Sequence, residues 1–194
     1  MNYIYGSIYI LGKKLYNYFY SSPIIKYDKN DSIIKRVDIG LPWYLKYKYF
    51  FSECNEIIPS LFLGSSFNAY NRDELKRKNI TIILNITDEI SNFYEDESNL
   101  IYYQFPIRDN NIDDISTILN ESYNVIEHHL SLGNKVLVHC YMGASRSASV
   151  VIHYLMGKYH MPYDQSLHIV KSRRPVVNLS EKFQNTLIKK DKTN

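Results

Sequence analysis

The segment Val136-Leu137-Val138-His139-Cys140-Tyr141-Met142-Gly143-Ala144-Ser145-Arg146-Ser147 runs from an apolar stretch, through a loop of small and uncharged residues, into a second apolar stretch that reaches past Ile152. It reads as strand, turn and helix. Such a unit collects an anion. The strand delivers Cys140 to the base of the loop, and the loop amides turn inward. A helix starting at Arg146 or Ser147 aims its N-terminus at the same point. Rows of backbone N–H groups and helix N-termini bind phosphate without side-chain charge. The same field favours the thiolate form of a cysteine placed there.

Each position in the loop has a chemical reading. Cys140 is the candidate nucleophile. Tyr141, Met142, Gly143, Ala144 and Ser145 are enough residues to wrap a tetrahedral dianion. Arg146 closes the ring with a planar fork that donates two hydrogen bonds to phosphate oxygens, which a lysine cannot do. Gly143 relieves the tight curve of the backbone. Ser147 places a hydroxyl against the sulfur, where it stabilises the thiolate as it leaves in a second step. His139 faces away from Cys140 by strand alternation, so it orients the loop rather than moving a proton. The plain alternative is an inert buried cysteine at a strand end; it gives no reason for Gly143 and Arg146 at these offsets. Cys54 stands alone before the next motif and reads as a small buried hydrophobe, with redox pairing to Cys140 as its alternative.

The run from His139 through Cys140 to Arg146-Ser147, with five residues between cysteine and arginine, resembles the signature of the cysteine-dependent protein phosphatases. Gly143-Ala144-Ser145-Arg146-Ser147 is similar to its form in the dual-specificity branch. Ile58 to Ser65 resembles the first strand of that family, and Ile80 to Thr87 the next. Phe105-Pro106-Ile107-Arg108-Asp109 resembles the segment that carries the general acid. Arg174-Pro175 with Asn178 resembles the loop that buttresses the phosphate site, although Val177 stands where the family usually has a second proline. Five motifs in the right order cover residues 53–190, which chance explains poorly. The resemblance implies a dual-specificity phosphatase catalytic domain at residues 53–194, behind an aromatic-rich extension at residues 1–52.

Bulk properties agree. A chain of 194 residues suits one domain with an extension. A net charge of +3 gives no case for nucleic acid or an anionic membrane as partner. Two cysteines leave no disulfide framework and suit a reducing compartment. No apolar stretch approaches the ~20 residues that span a bilayer. Tyr, Asn and Gly interrupt the apolar run at the N-terminus, which does not read as a secretory signal, and Asn2 does not fit the myristoylation pattern. These points set the expectation of a cytoplasmic protein, or one of the host cytoplasm if the source is viral. Nineteen tyrosines with abundant Ile, Asn and Lys point to an AT-rich coding sequence, as in large viruses and protozoa.

Within residues 1–52, Leu41 to Phe51 is densely aromatic. It reads as an arm folded on the domain, with Trp43 and its neighbours in a groove. The other reading is a dimerisation or docking element, since large apolar surface is rarely left bare. From Ile58 onward strands alternate with helices: Leu61–Gly64, Thr81–Ile86, Ile101–Phe105 and Lys135–His139 as strands, and 66–78, 115–132, 147–159, 163–171 and 180–189 as helices. Gly133 ends the helix before the phosphate-loop strand as a C-cap. The expected fold is α/β, with a mostly parallel central sheet flanked by helices on both faces and the phosphate-binding loop between the central strand and a helix. Ligands of such sheets sit beyond the carboxyl ends of the strands, where Cys140 falls.

A departing alkoxide needs a proton, and a carboxylic acid on a loop supplies it. Strand topology and the family resemblance select Asp109. Asp113 and Asp114 compete from the same loop, but both also suit the cap of the following helix. The implied mechanism has two steps through a phosphocysteine on Cys140, with Asp109 acting first as acid and then as base. No metal or cofactor is called for, and His128-His129 are adjacent on a helix and cannot point to one centre. The uncharged loop suits a phosphorylated protein substrate. A domain this short lacks the elements that deepen a tyrosine-only pocket, so phosphoserine and phosphothreonine fit as well as phosphotyrosine. Arg173 and Arg174 read either as attractors of acidic flanking sequence or as ordinary helix-end cations. Two other readings stay open: an idle phosphate reader, and an enzyme of the same chemistry acting on RNA 5′-triphosphate, lipid or glycan phosphate.

Overall fold

The computed structural model describes residues 43–109 and 113–192. The readings of the extension as a folded arm or a dimerisation element rest on Leu41 to Phe51, of which Leu41 and Pro42, like residues 1–40, lie outside that range. In chain order the elements are α1 (Trp43–Phe51), β1 (Asn55–Ile58), β2 (Leu61–Gly64), α2 (Ser66–Tyr70), α3 (Arg72–Lys78), β3 (Ile82–Asn85), β4 (Ile101–Gln104), α4 (Ser116–Ser131), β5 (Val136–His139), α5 (Arg146–Tyr159), α6 (Tyr163–Arg173) and α7 (Glu181–Asp191). A compact unit begins at Tyr49, in the last turn of α1.

The five strands line up in the order β1-β2-β5-β3-β4. The β1–β2 pair is antiparallel and the other three pairs are parallel. A mostly parallel sheet needs cover on both faces, and strand alternation supplies two apolar surfaces. Leu61, Leu63, Ile82, Leu84, Val136 and Val138 join Leu119 and Ile126 of α4, Val151 and Leu155 of α5, Val170 of α6 and Phe183 of α7. Phe62, Ile83 and Leu137 point the other way, into a smaller cluster with Cys54, Ala69 and Leu75. All of β2, β3 and β5 is buried, and each fully buried aliphatic side chain there contributes about 1.5–3 kcal/mol.

Strand β5 lies at the centre, so the residue after it emerges at the middle of the sheet. Gly64, His139 and Asn85 share one register row at the carboxyl ends of β2, β5 and β3. Cys140 follows directly. Gly133 caps the preceding helix in the left-handed region, φ 77°, with Asn134 N–H donating to His129 O.

Two expectations need correction. The single helix over 66–78 is two helices. Asn71 leaves the helical region at ψ 87° and its side chain accepts from Glu74 N–H, so it N-caps α3. Asn71 followed three positions on by Glu74 is a start signal inside an otherwise helical run. Tyr70, at the end of the first of the two helices, is exposed and stacks edge-on with Phe93. The second correction is β1, which sequence reasoning left out. Its turn into β2 uses Ser60 at φ 68° after Pro59. Glycine and asparagine are the usual residues for that conformation, so the hairpin gave no strong signal.

Candidate active site

Strand β5 carries Cys140 to the floor of the loop, where the residue is 2 % exposed. Two donors meet the sulfur: Gly143 N–H at 3.3 Å and the Ser147 hydroxyl at 3.1 Å. Ser147 lies in the first turn of α5, which begins at Arg146, and Gly143 in the loop before it. Gly143 sits at φ 67°, and a Cβ there would meet Gly64 O at 2.3 Å. The loop can press against the end of β2 only because this residue has no side chain.

The loop carbonyls account for the direction of its amides. Tyr141 O accepts from Ser66 N–H at 3.1 Å, and Ala144 O from Asn178 N–H at 2.9 Å. Met142 O accepts from Arg174 Nη2 at 3.0 Å, and Gly143 O from Arg174 Nε at 2.8 Å. Four successive carbonyls are thus held outward, and the N–H groups that follow them turn to the concave side. That is the arrangement that binds a phosphate dianion.

Arg174 is therefore no helix-end surface cation: it is fully buried. Its guanidinium also reaches Asn55 Oδ1 at 2.9 Å and Tyr49 O at 3.3 Å. Burial pulls its pKa down to about 10, which leaves it charged at neutral pH. Arg173, its neighbour, is exposed. Asn178 takes part through its backbone N–H, while its side chain faces solvent. Ser65 Oγ donates to Phe50 O at 2.7 Å, and the Phe50 ring lies 5.7 Å from that of Tyr141. The turn Tyr49–Phe51 thus supports the loop from beneath, a contribution that the aromatic run gave no means of assigning.

Arg146 closes the loop. Its end-on face is taken by Glu89, with Nη1–Oε2 and Nη2–Oε1 both 2.7 Å, and Nη1 also donates to Ile107 O at 3.1 Å. Its Nε is buried without a partner. The side-on face, Nε with the second hydrogen of Nη2, is left for an anion. Burial opposes the charge of this guanidinium, and the Glu89 hydrogen bonds with the surrounding negative charges outweigh it, so its pKa is raised. The sequence alone did not mark Glu89 as a site residue. Its partner lies 57 positions away, so no local pattern marks it.

Asp109 hangs over the loop, with Oδ1 accepting from Ser145 Oγ at 3.1 Å. Beside it, Arg108 Nε donates to Asp88 at 2.6 Å, and this bond holds the Asp88 carboxyl below its ordinary pKa. The competing carboxylates are engaged elsewhere. Asp113 accepts from Arg108 N–H, and Asp114 accepts from the N–H and hydroxyl of Ser116 at the start of α4. His139 is buried, with Nδ1 3.4 Å from Cys140 O. Burial, aided by the charge of Arg146, pulls its pKa to about 4, so the imidazole is neutral at pH 7. Cys54 lies in the cluster on the opposite face of the sheet, and burial followed by the Glu74 charge pushes its thiol pKa up.

A cysteine under a ring of inward amides, an arginine fork and an overhanging carboxylate make a cup for a phosphate monoester. A family model described as "Dual specificity phosphatase, catalytic domain" matches residues 61–193. The chain belongs to this family. The dual specificity phosphatase domain is 37 % identical over 132 residues to protein phosphatase Slingshot of Drosophila melanogaster, covering 68 % of this chain and 12 % of that one. It is 34 % identical over 133 residues to dual specificity protein phosphatase 1 of Homo sapiens, covering 69 % and 36 %. The chain thus spans well under two thirds of these relatives. Among solved structures, human DUSP28 superposes with a TM-score of 0.67 at 27 % identity, covering 72 % of this chain and 93 % of that one. The shared fold agrees with the α/β reading of the sequence, including its flanked, mostly parallel sheet. Among the described residues, no helix is long and apolar enough to cross a membrane.

Proposed function

We propose that the protein hydrolyses phosphotyrosine, phosphoserine and phosphothreonine in protein substrates through a phosphocysteine on Cys140. The observation that carries this reading is the convergence of Gly143 N–H and the Ser147 hydroxyl on Cys140 Sγ, beneath a loop whose carbonyls from Tyr141 to Ala144 are held outward. Donors aimed at a sulfur stabilise its thiolate, the reactive form.

In the first step the thiolate attacks phosphorus in line with the ester oxygen. The S–P bond forms as the P–O bond breaks. The inward amides of residues 141–146 and the Nε and Nη2 of Arg146 hold the non-bridging oxygens, fixed before the reaction begins. Asp109 gives its proton to the departing oxygen. In the second step water attacks the phosphocysteine, Asp109 takes a proton from that water, and the thiolate leaves against the Ser147 hydroxyl. Asn178 and His139 act through the backbone of the loop.

The loop side chains from Tyr141 to Ser145 carry no charge to meet the extra phosphates of a polyphosphorylated lipid or RNA end, which favours a phosphoprotein. The catalytic domain proposed at residues 53–194 draws in addition on the carbonyls of Tyr49 and Phe50. A reducing cytoplasm would keep Cys140 competent. A panel of phosphotyrosyl, phosphoseryl and phosphothreonyl peptides, beside an RNA 5′-triphosphate and a phosphoinositide, tests the assignment. Turnover of the peptides above the other two is expected. Preferred release from the RNA or lipid would overturn it.

A further inference from the structure

Ser145 lines the phosphate loop through its backbone, but its side chain has a second set of contacts. Its Oγ lies 3.1 Å from Asp109 Oδ1 and 3.2 Å from Ser180 N. A backbone N–H can only donate, so Ser145 Oγ accepts from Ser180. Oδ1 of an aspartate, or the carbonyl oxygen of its acid form, can only accept, so the single hydroxyl proton of Ser145 points to Asp109. The residue is 6 % exposed, and its own carbonyl is taken by Ser149 N–H at 2.8 Å. Neither the backbone nor the hydroxyl is free to turn. Ser180 is the N-cap of α7, two residues beyond Asn178, whose N–H holds the loop carbonyl of Ala144. One short segment thus fixes both the loop and the rotor on it.

We propose that Ser145 is a positioning residue for the general acid: its hydroxyl holds Asp109 Oδ1 over the phosphate loop, so that Oδ2 carries the transferable proton, and Ser180 N–H sets the direction of that hydroxyl. This rests on Asp109 being the general acid. Ser145 keeps its own proton throughout. As the S–P bond forms and the P–O bond breaks, the proton on Oδ2 passes to the leaving oxygen, and the Ser145 bond to Oδ1 becomes a bond to a carboxylate. Hydrogen bonds to an ionised acceptor are the stronger kind, so the contact gains strength as the proton departs. It therefore helps most when the leaving group most needs that proton. In the second step the same bond holds Oδ1 while Oδ2 receives the proton of the attacking water.

The test is a double-mutant cycle over leaving groups, with Ser145→Ala, Asp109→Asn and both together. The substrates are phenyl phosphate, which leaves poorly, and p-nitrophenyl phosphate, which leaves well. With phenyl phosphate, Ser145→Ala is expected to lower kcat about fivefold to twentyfold, the range of one charge-assisted hydrogen bond partly replaced by water. With p-nitrophenyl phosphate the loss should be under about threefold, since general-acid help matters less there. In the Asp109→Asn background, Ser145→Ala should change nothing further. Equal losses with both substrates, or losses that multiply in the double variant, would overturn the proposal in favour of a merely structural hydroxyl. If Asp109→Asn alone shows no dependence on leaving group, the general-acid reading itself falls, which the single variant reveals separately.

Discussion

Replacing Glu89 by glutamine separates two opposed effects of one carboxylate. Glu89 holds the end-on face of Arg146 with two bonds of 2.7 Å, at 6 % side-chain exposure for the arginine and 23 % for the glutamate. The same negative charge repels an incoming phosphate dianion. Glutamine keeps one acceptor and loses the charge, so one charge-assisted hydrogen bond is lost outright and the other weakened. Such bonds contribute about 1.5–3 kcal/mol each. The repulsion acts on bound substrate and transition state alike, so its relief appears in KM. The loss of a fixed fork appears where charge is redistributed on the equatorial oxygens, in kcat. Glu89→Gln is therefore expected to lower kcat by about tenfold to a hundredfold, with KM unchanged or lower. Steady-state kinetics on an aryl phosphate reads both constants. Glu97→Gln is the control, because its partner Arg72 is 47 % exposed, and exposed pairs contribute about 0–1 kcal/mol. If Glu89→Gln leaves kcat at the wild-type value, Arg146 does not depend on Glu89 for its orientation. If kcat rises, Glu89 obstructs the site.

Arg174→Met should strand four acceptors beneath the phosphate loop and cost about 3–5 kcal/mol of stability, as when one partner of a buried charged network is removed; a thermal melt near wild type would refute that. Removing residues 1–48 should leave kcat unchanged, whereas removing residues 1–52 should lower it, because only the second cut takes the carbonyls of Tyr49 and Phe50 and the ring against Tyr141; equal kcat for the two truncated proteins would show that this turn is dispensable, and light scattering on both tests the dimer reading of the extension. His139 and His153 have pKa values pulled to about 4 by burial, from 6.5. The unfolded chain then binds more protons between those values, so stability is full above pH 6.5 and falls as pH drops toward 4, by up to about 3 kcal/mol for the fully buried His139 and by less for the partly exposed His153. Urea unfolding at pH 7.5, 6 and 4.5 should follow that fall, and a midpoint that stays flat across the window would contradict it.

The sequence made the central geometry legible because strand, loop and helix are contiguous. Cys140, Gly143, Arg146 and Ser147 are placed by local rules: an apolar strand, a left-handed glycine and a helix start. The apolar runs at β2, β3 and β5 were readable for the same reason, being buried on both faces. What escaped was non-local or masked by a stronger pattern. Glu89 reaches Arg146 across the fold from a stretch rich in other acids. Arg174 sits at a helix end, where a cation suits the dipole, so its place under the loop was legible only through the resemblance of Arg174-Pro175 to a buttressing loop. The break at Asn71 was hidden because Phe67 and Leu75 keep helical spacing across it, although Asn71 and Glu74 carry the capping pattern. The support from Tyr49 and Phe50 uses backbone carbonyls, which every residue has.

The proposed mechanism requires a covalent phosphoenzyme at Cys140. Rapid acid quench of the Asp109→Asn protein during turnover of p-nitrophenyl phosphate, followed by peptide mass spectrometry, tests it directly, because loss of the base in the second step should let the intermediate accumulate. The expected result is one added phosphoryl group on the peptide containing Cys140, none on the peptide containing Cys54, and no turnover by Cys140→Ser. Phosphoryl label on another residue, or a Cys140→Ser protein active within about tenfold of wild type, would contradict the mechanism.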